Sequence, residues 1–462
     1  MHPKTRQPAS FRDPSGFLFV QDEVLYRQVN QSYCHDYDQL MASELYQDLH
    51  KRDWLISHEE VELDTSNDDQ VYKIIQPAHL AFVSYPFEWS FTQLRDAALL
   101  TLKVQKRALR YGMSLKDSSA YNVQFNLQSG KPILIDTLSF EIYNEGQPWV
   151  AYRQFCQHFL APLALMAYTD IRLSQLLRVY IDGIPLDLAS SLLPGKTRLN
   201  FGLLTHLHLH ATAQKRFAGQ AVDTEETGRQ MSKTSLLGLI DSLIGTVKKL
   251  TWQPADTDWG DYYEDTNYSD EAMTQKTELV ADFVSRVTPR RVWDLGANTG
   301  RFSRITSQGG IPTVAFDIDP AAVEKNYLQI KAEKETHLLP LIIDLTNPSA
   351  GIGWANQERD SLAERANADL ILALALIHHL AISNNLPLGM IADYFSELAP
   401  WLVIEFVPKT DSQVQRLLVS REDIFDAYNQ EGFEGAFGTK YYIRAAEVIP
   451  GSERRLYLME RK

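Results

Sequence analysis

The sequence predicts an α/β chain: a doubly wound parallel sheet in the C-terminal half, joined to an α+β half before it. Three observations carry this. Short apolar runs, VWDL, TVAFD, LPLIID, DLILALA and WLVIEFV, recur from Val292 to Val407, with roughly 20–30 residues between most of them, enough for a crossover helix. Two further runs, KYYIRAAEVI and RRLYLMER, flank a turn at IPGSE and read as an antiparallel hairpin at the sheet edge. A polar stretch, GQAVDTEETGRQ, begins the break between the halves. The expected domains are 1–252 and 253–462.

Within the break, SKTSLLGLIDSLIGTVKKL is helical in pattern. Leu236, Leu237, Ile240, Leu243, Ile244 and Val247 recur at three-to-four spacing, with Lys248 and Lys249 at the C-terminal end. Its polar face carries too few cations for a membrane anchor, so packing on its own domain is the expectation.

Composition bounds the function. Of 462 residues, 44% are apolar and 23% charged, which excludes a disordered, collagenous or coiled-coil chain. Lys plus Arg is 45 against 59 Asp plus Glu, a formal charge of -14 that disfavours nucleic acid and anionic membranes as partners. Two distant cysteines, Cys34 and Cys156, make neither a disulfide framework nor a zinc site, so no metal is expected from them. The first residues carry no apolar leader, and the run LILALALI is far short of the ~20 residues of a membrane span. A cytoplasmic protein is the expectation.

The first C-terminal strand runs into Asp294-Leu295-Gly296-Ala297-Asn298-Thr299-Gly300. Gly296 permits a tight turn, and Gly300 lets the next helix approach the strand. The second strand ends at Asp317, followed by Ile318-Asp319-Pro320, and the third at Asp344-Leu345. A carboxylate about 20 residues past the glycine turn is placed for ribose hydroxyls. A pyrophosphate would be repelled by Asp294, whereas a cofactor with a cationic amino-acid end would be attracted.

These pieces resemble the class I S-adenosylmethionine-dependent methyltransferases, with their E/D-x-G-x-G-x-G turn, acidic second-strand end, Asp after strand three and final hairpin. The resemblance covers about residues 255–462. Asn298 departs from it, standing at the middle glycine, but Asn tolerates the left-handed conformation. The resemblance implies that Asp294, Gly296, Asn298 and Gly300 hold the methionine end of S-adenosylmethionine. It assigns Asp317 and Asp319 to the ribose, and Asp344 with Leu345 to the adenine. In DLGANTGRFSR, ALALIHHLA and IEFVPK the whole chain is also similar to a bacterial family of nodulation-protein-like methyltransferases.

After strand four, His378 and His379 stand where the sheet meets the crevice. An imidazole there would align or deprotonate a methyl acceptor, or pack against the cofactor. Glu405 and Lys409 close strand five; they bind substrate in the same crevice or form an ion pair in a solvated loop. Upstream, Trp259, Tyr262, Tyr263, Tyr268 and Lys276 precede the first strand, as a lid over the cofactor or as a hydrophobic staple. Trp354, Glu358 and Arg359 lie in a long loop after strand three, a candidate substrate wall.

In the N-terminal half, LKDSSAYNVQFNLQSGKPILIDTLSFE contains Asp117, Asn122 five residues on, and Asp136 closing an apolar run; NVQFN and PILID read as a hairpin. This resembles the catalytic loop and metal-binding Asp of protein-kinase-like and aminoglycoside-phosphotransferase-like folds. That likeness implies Asp117 as base, with Asn122 and Asp136 as ligands of ATP-bound magnesium. FVSYPFEWSF matches an interlobe hinge. There are departures: no glycine-rich loop, Arg27 in GFLFVQDEVLYRQVN where a phosphate-pairing lysine is expected, and Leu115-Lys116 in place of the loop histidine. A shortened kinase-like domain follows, degenerate and recognising substrate or partner, with a working phosphotransferase and a chance likeness as alternatives. His206, His208 and His210 alternate in THLHLH; without H-E-x-x-H, local packing is expected over a metal site.

The expected function is methyl transfer from S-adenosylmethionine to an O, N or C nucleophile of a small or carrier-linked substrate. A bifunctional kinase–methyltransferase and a non-catalytic S-adenosylmethionine-binding protein are the alternatives.

Overall fold

The computed structural model describes residues 5–64, 68–211, 230–254, 270–419 and 422–462. They fall into two compact units: 1–126 with 131–253 and 351–359, and 127–130 with 254–350 and 360–462.

The first unit opens with a five-stranded antiparallel sheet of β1 (Thr5–Arg6), β2 (Gly16–Gln21), β3 (Val24–Asn30), β4 (His58–Val61) and β5 (Val71–Pro77), in the order β1-β2-β3-β5-β4. The β2–β3 turn is Asp22-Glu23, both at positive φ (50° and 64°), the two-residue turn that matches strand twist. It leaves no room for a loop over a phosphate. Buried Val29, Tyr33, Tyr37, Ile75 and Leu138 form a core cluster here.

The helix Phe91–Ala108 follows, where the Gln93 side chain accepts from the Ser90 backbone N–H at 2.8 Å at its start. It leads to β6 (Met113–Leu115), the hairpin β7 (Val123–Asn126) and β8 (Lys131–Leu134), and β9 (Phe140–Ile142), which pairs with β6. The helix Lys233–Lys249 buries Leu236, Ile240, Leu243 and Val247 and packs on Phe91–Ala108, with Lys106 Nζ 2.5 Å from Asp241. Leu237 and Ile244 are only half-buried. No described helix is long and apolar enough to cross a membrane.

The second unit is built on a seven-stranded sheet. Its strands are β10 (Val292–Leu295), β11 (Thr313–Asp317), β12 (Leu338–Ile342), β13 (Leu370–Ala373), β14 (Trp401–Phe406), β15 (Tyr441–Val448) and β16 (Arg455–Arg461). The order is β12-β11-β10-β13-β14-β16-β15. The first five are parallel; β16 inserts antiparallel between β14 and β15. Helices cover both faces, so the central strands are apolar throughout. Met273, Val280, Phe283 and Val284 of the helix Asp270–Val287 pack with Leu370, Leu372, Val403, Leu456 and Leu458. Ile330 of the helix Pro320–Glu333 packs with Ala297, Ala315 and Leu338. Strand order reverses direction between β10 and β13, and a crevice opens at their carboxyl ends.

Candidate functional site

The turn after β10 is set by alternating left-handed residues: Gly296 (φ 76°), Asn298 (φ 50°) and Gly300 (φ 79°). At Gly300 the left-handed φ strains any side chain, and a Cβ would also stand 2.5 Å from Asn326 Nδ2, so that side chain would have to shift. Asp317, at the end of β11, ties the turn down. Its Oδ2 accepts from the Asn298 backbone N–H at 2.7 Å and its Oδ1 from the Asp319 N–H at 2.9 Å.

A cavity of about 300 Å³ lies beside this turn. Asp294, Gly296, Asn298, Asp317, Asp344 and Leu345 all line it, with Lys276, Phe302, His379, Ser383 and Asn384 and an apolar wall of Met273, Leu374, Leu376 and Leu380. Asp294 is 2% exposed and accepts from Ser303 Oγ at 2.6 Å. Burial pushes its carboxyl up to about 7. Burial likewise raises Asp317 to about 6, against the pull of its backbone hydrogen bonds. Asp344 is half-buried and accepts from the Thr346 N–H (2.8 Å) and Oγ1 (2.6 Å).

Other expected residues sit elsewhere. Asp319 caps the helix Pro320–Glu333, accepting from the Ala321 N–H at 2.9 Å, and does not line the cavity. Glu405 is fully buried behind the cavity, where Lys276 Nζ (2.6 Å), Arg454 Nη1 (3.3 Å) and the Ala375 N–H (2.8 Å) reach its carboxylate. Lys409 pairs with Asp423 at 2.8 Å, away from the cavity. His378 is fully buried with both ring nitrogens unpartnered among the described residues. Its ring centre lies 4.1 Å from that of His379, which does line the cavity, at the start of the π-helical turn His379–Ser383. Burial holds His379 down to about 4, so both rings are neutral at pH 7.

Trp259, Tyr262, Tyr263 and Tyr268 lie outside the described residues. Glu358 and Arg359 belong to the first unit rather than to the cavity wall: Arg12 Nε meets Glu358 at 2.8 Å, and the Arg359 guanidinium stacks over Tyr121 at 4.7 Å. Trp354 is 72% exposed. Ser303, Ser383 and Asn384 were not singled out in the sequence; Ser303, three residues past Gly300 in the next helix, carried a positional signal.

In the first unit, Asp117, Asn122 and Asp136 come together. Asp117 hydrogen-bonds Asn122, feels the charge of Asp136, and is raised chiefly by burial. Arg27 reaches into the same place, with Nη1 2.9 Å from Asp136 and Nη2 2.6 Å from Asp13. Asp136 also accepts from Ser139 Oγ at 2.6 Å. His206 and His208 of THLHLH are hydrogen-bonded separately, while His210 Nδ1 is buried with no hydrogen-bond partner among the described residues. His206 meets Tyr152 OH (2.8 Å) and Ser242 Oγ (2.9 Å), and His208 meets Ser190 Oγ (2.8 Å) and Thr197 Oγ1 (2.9 Å). His210 stacks on Tyr152 at 5.2 Å.

The parallel sheet with its trailing antiparallel hairpin, and the G-x-N-x-G turn between carboxylate-closed strands, define a class I methyltransferase fold in the second unit. The chain is 34% identical over 462 residues to nodulation protein NoeA of Rhizobium meliloti (strain 1021), spanning 99% of this chain and 96% of that one, and it belongs to that protein's family. No protein-family model matches it. Among solved structures it is similar to the PH0226 protein from Pyrococcus horikoshii OT3 (17% identity, 44% of this chain and 96% of that one, TM-score 0.33). Another is magnesium protoporphyrin IX methyltransferase from Synechocystis PCC 6803 with bound SAH (18% identity, 44% and 93%, TM-score 0.30).

Proposed function

We propose that the second unit binds S-adenosylmethionine and transfers its methyl group to an O, N or C nucleophile of a small or carrier-linked substrate. The observation that carries this is the lining of one cavity by Asp294, Asp317 and Asp344, three carboxylates at the ends of three adjacent strands. The donor set fits the cofactor: a buried carboxyl for an ammonium, a second for ribose hydroxyls, a third with Leu345 for adenine. Bound there, the cofactor supplies an electrophilic methyl group on a sulfonium centre. The chain's residues do the rest. Asp294 holds the ammonium, the apolar wall excludes water, and a neutral ring nitrogen of His379 accepts a proton from the acceptor. His378, behind it, keeps that ring in place by packing.

The first unit is read as kinase-like and as recognising substrate or partner. The convergence of Asp117, Asn122 and Asp136 supports the likeness; the Arg27–Asp136 ion pair and the two-residue β2–β3 turn support a role other than phosphoryl transfer. Calorimetric titration of the full chain with S-adenosylmethionine, S-adenosylhomocysteine and ATP-magnesium tests both. Micromolar binding of the adenosyl ligands, lost in Asp317→Ala, is expected, without binding of ATP-magnesium. Folded protein that binds neither adenosyl ligand refutes the methyltransferase reading, and ATP-magnesium binding revives the bifunctional one.

A further inference from the structure

One part of the first unit turns large apolar side chains to solvent. Leu199 is 89% exposed and Phe201 77%, and Leu192 and Leu209 are exposed on neighbouring turns that pack on theirs. The backbone that presents them is well tied. Thr197 Oγ1 donates to the Pro194 carbonyl at 2.7 Å and meets His208 Nε2 at 2.9 Å. Asn200 Oδ1 accepts from the Gly202 and Leu203 N–H groups at 3.1 and 3.2 Å. Leu199 and Phe201 flank that cap, at positions where the fold itself gains nothing from an apolar residue.

Cations surround this tip. Lys196 and Arg198 stand exposed beside Leu199. The helix Lys233–Lys249 comes close at Gly202, where a Cβ would stand 2.0 Å from Thr246 Oγ1, and it ends in the exposed Lys248 and Lys249. Carboxylates are missing: positions 188–222 hold no Asp or Glu, in a chain with 59 of them. Asp170, next to the Thr169 that meets the Leu192 carbonyl at 3.3 Å, is paired with Arg172 at 2.7 Å. The formal charge of -14 belongs to the whole chain. At physiological ionic strength charges are screened over about 8 Å, so an approaching surface meets the local cations.

Exposed Leu and Phe between Lys and Arg suit the boundary between the headgroups and acyl chains of an anionic bilayer. A folded partner would have to offer a matching concave pocket, whereas a fluid lipid surface moulds itself around two projecting side chains. We propose that this tip docks the protein on an anionic lipid surface. Leu199 and Phe201 enter the acyl boundary, and Lys196, Arg198, Lys248 and Lys249 meet the headgroup phosphates. The contact is peripheral, and it does not depend on the cofactor reading above.

Flotation of the full chain with vesicles of phosphatidylcholine and phosphatidylglycerol, against vesicles of phosphatidylcholine alone, tests this. Wild type is expected to prefer the anionic vesicles by at least about 10-fold and to be released from them at about 0.5 M salt. Leu199→Ser combined with Phe201→Ser should lower binding by at least about 10-fold. Lys196→Gln combined with Arg198→Gln should lower it by about 25-fold, or about 5-fold per cation. All four side chains are exposed, so thermal unfolding of both variants should match wild type. Folded wild type that ignores the anionic vesicles or binds both kinds alike overturns the proposal, as do variants that float like wild type. Self-association of wild type in sedimentation equilibrium without lipid, abolished by Leu199→Ser with Phe201→Ser, would give the tip to a second copy of the chain and overturn it too.

Discussion

Lowering the pH from 7.5 to 6.0 is expected to weaken binding of S-adenosylhomocysteine by about 15-fold, because the carboxylate that meets its ammonium must first lose a proton. Asp294 is raised to about 7 by burial, and Asp317 to about 6. If only ionised Asp294 accepts the ligand, affinity scales with its ionised fraction, which changes about 8-fold over this interval; Asp317 adds about 2-fold. At pH 6.0 binding should release about 1.4 protons, roughly 0.9 from Asp294 and 0.5 from Asp317, seen as a dependence of the calorimetric enthalpy on the buffer's ionisation enthalpy. The same shifts act on the free protein. Both folded values lie above the unfolded value of about 3.9, so the folded state holds these protons more tightly. The stability they contribute is complete below about pH 4 and is lost as pH rises through about 7. Asp294→Asn, which cannot ionise, should therefore be more stable than wild type at pH 7.5 by at least about 1 kcal/mol without ligand, while binding the ligand poorly and with little pH dependence. A pH-independent affinity with no proton release in wild type would refute this reasoning.

Asn298→Ala should destabilise the second unit by about 1 kcal/mol in chemical denaturation, because alanine gains nothing at φ 50°, whereas Asn298→Gly should be tolerated. Arg27→Ala leaves Asp136 and Asp13 without a cation at a site where the paired side chains are only 11% and 13% exposed; a loss of about 3 kcal/mol in denaturant unfolding is expected, with no gain of ATP-magnesium binding by calorimetry. His378→Leu should keep stability within about 1 kcal/mol and ligand affinity unchanged, since among the described residues the native ring nitrogens have no hydrogen bond that leucine would break; a loss above 2 kcal/mol in thermal unfolding would count against the packing role.

The strands of the second unit were legible because each is a short, continuously apolar run ending in a turn residue or a carboxylate, and their bounds differ little from those runs. The glycine turn was legible for a similar reason: positive φ restricts residue choice, and Asn298 obeys that restriction. Side-chain direction was harder to read. Glu405 follows four apolar residues of a central strand, and such strands are buried on both faces. That rule points to a buried, paired carboxylate rather than a substrate ligand, but its partners Lys276 and Arg454 lie 129 and 49 residues away. Asp319 precedes Pro320, the pattern of a helix N-cap followed by proline at the first position, and it caps that helix. The grouping of Gly351–Arg359 with the first unit had no local signal, because it depends on Arg12, far upstream.

The Arg27–Asp136 pair has a consequence for how the first unit responds to its surroundings. A dissociable ion leaves when its free concentration falls or a chelator competes for it. A guanidinium on the same chain is diluted by neither, since covalent attachment fixes its local concentration. By that logic the unit carries its own counter-ion permanently, and its fold should be indifferent to swings in cellular magnesium or nucleotide.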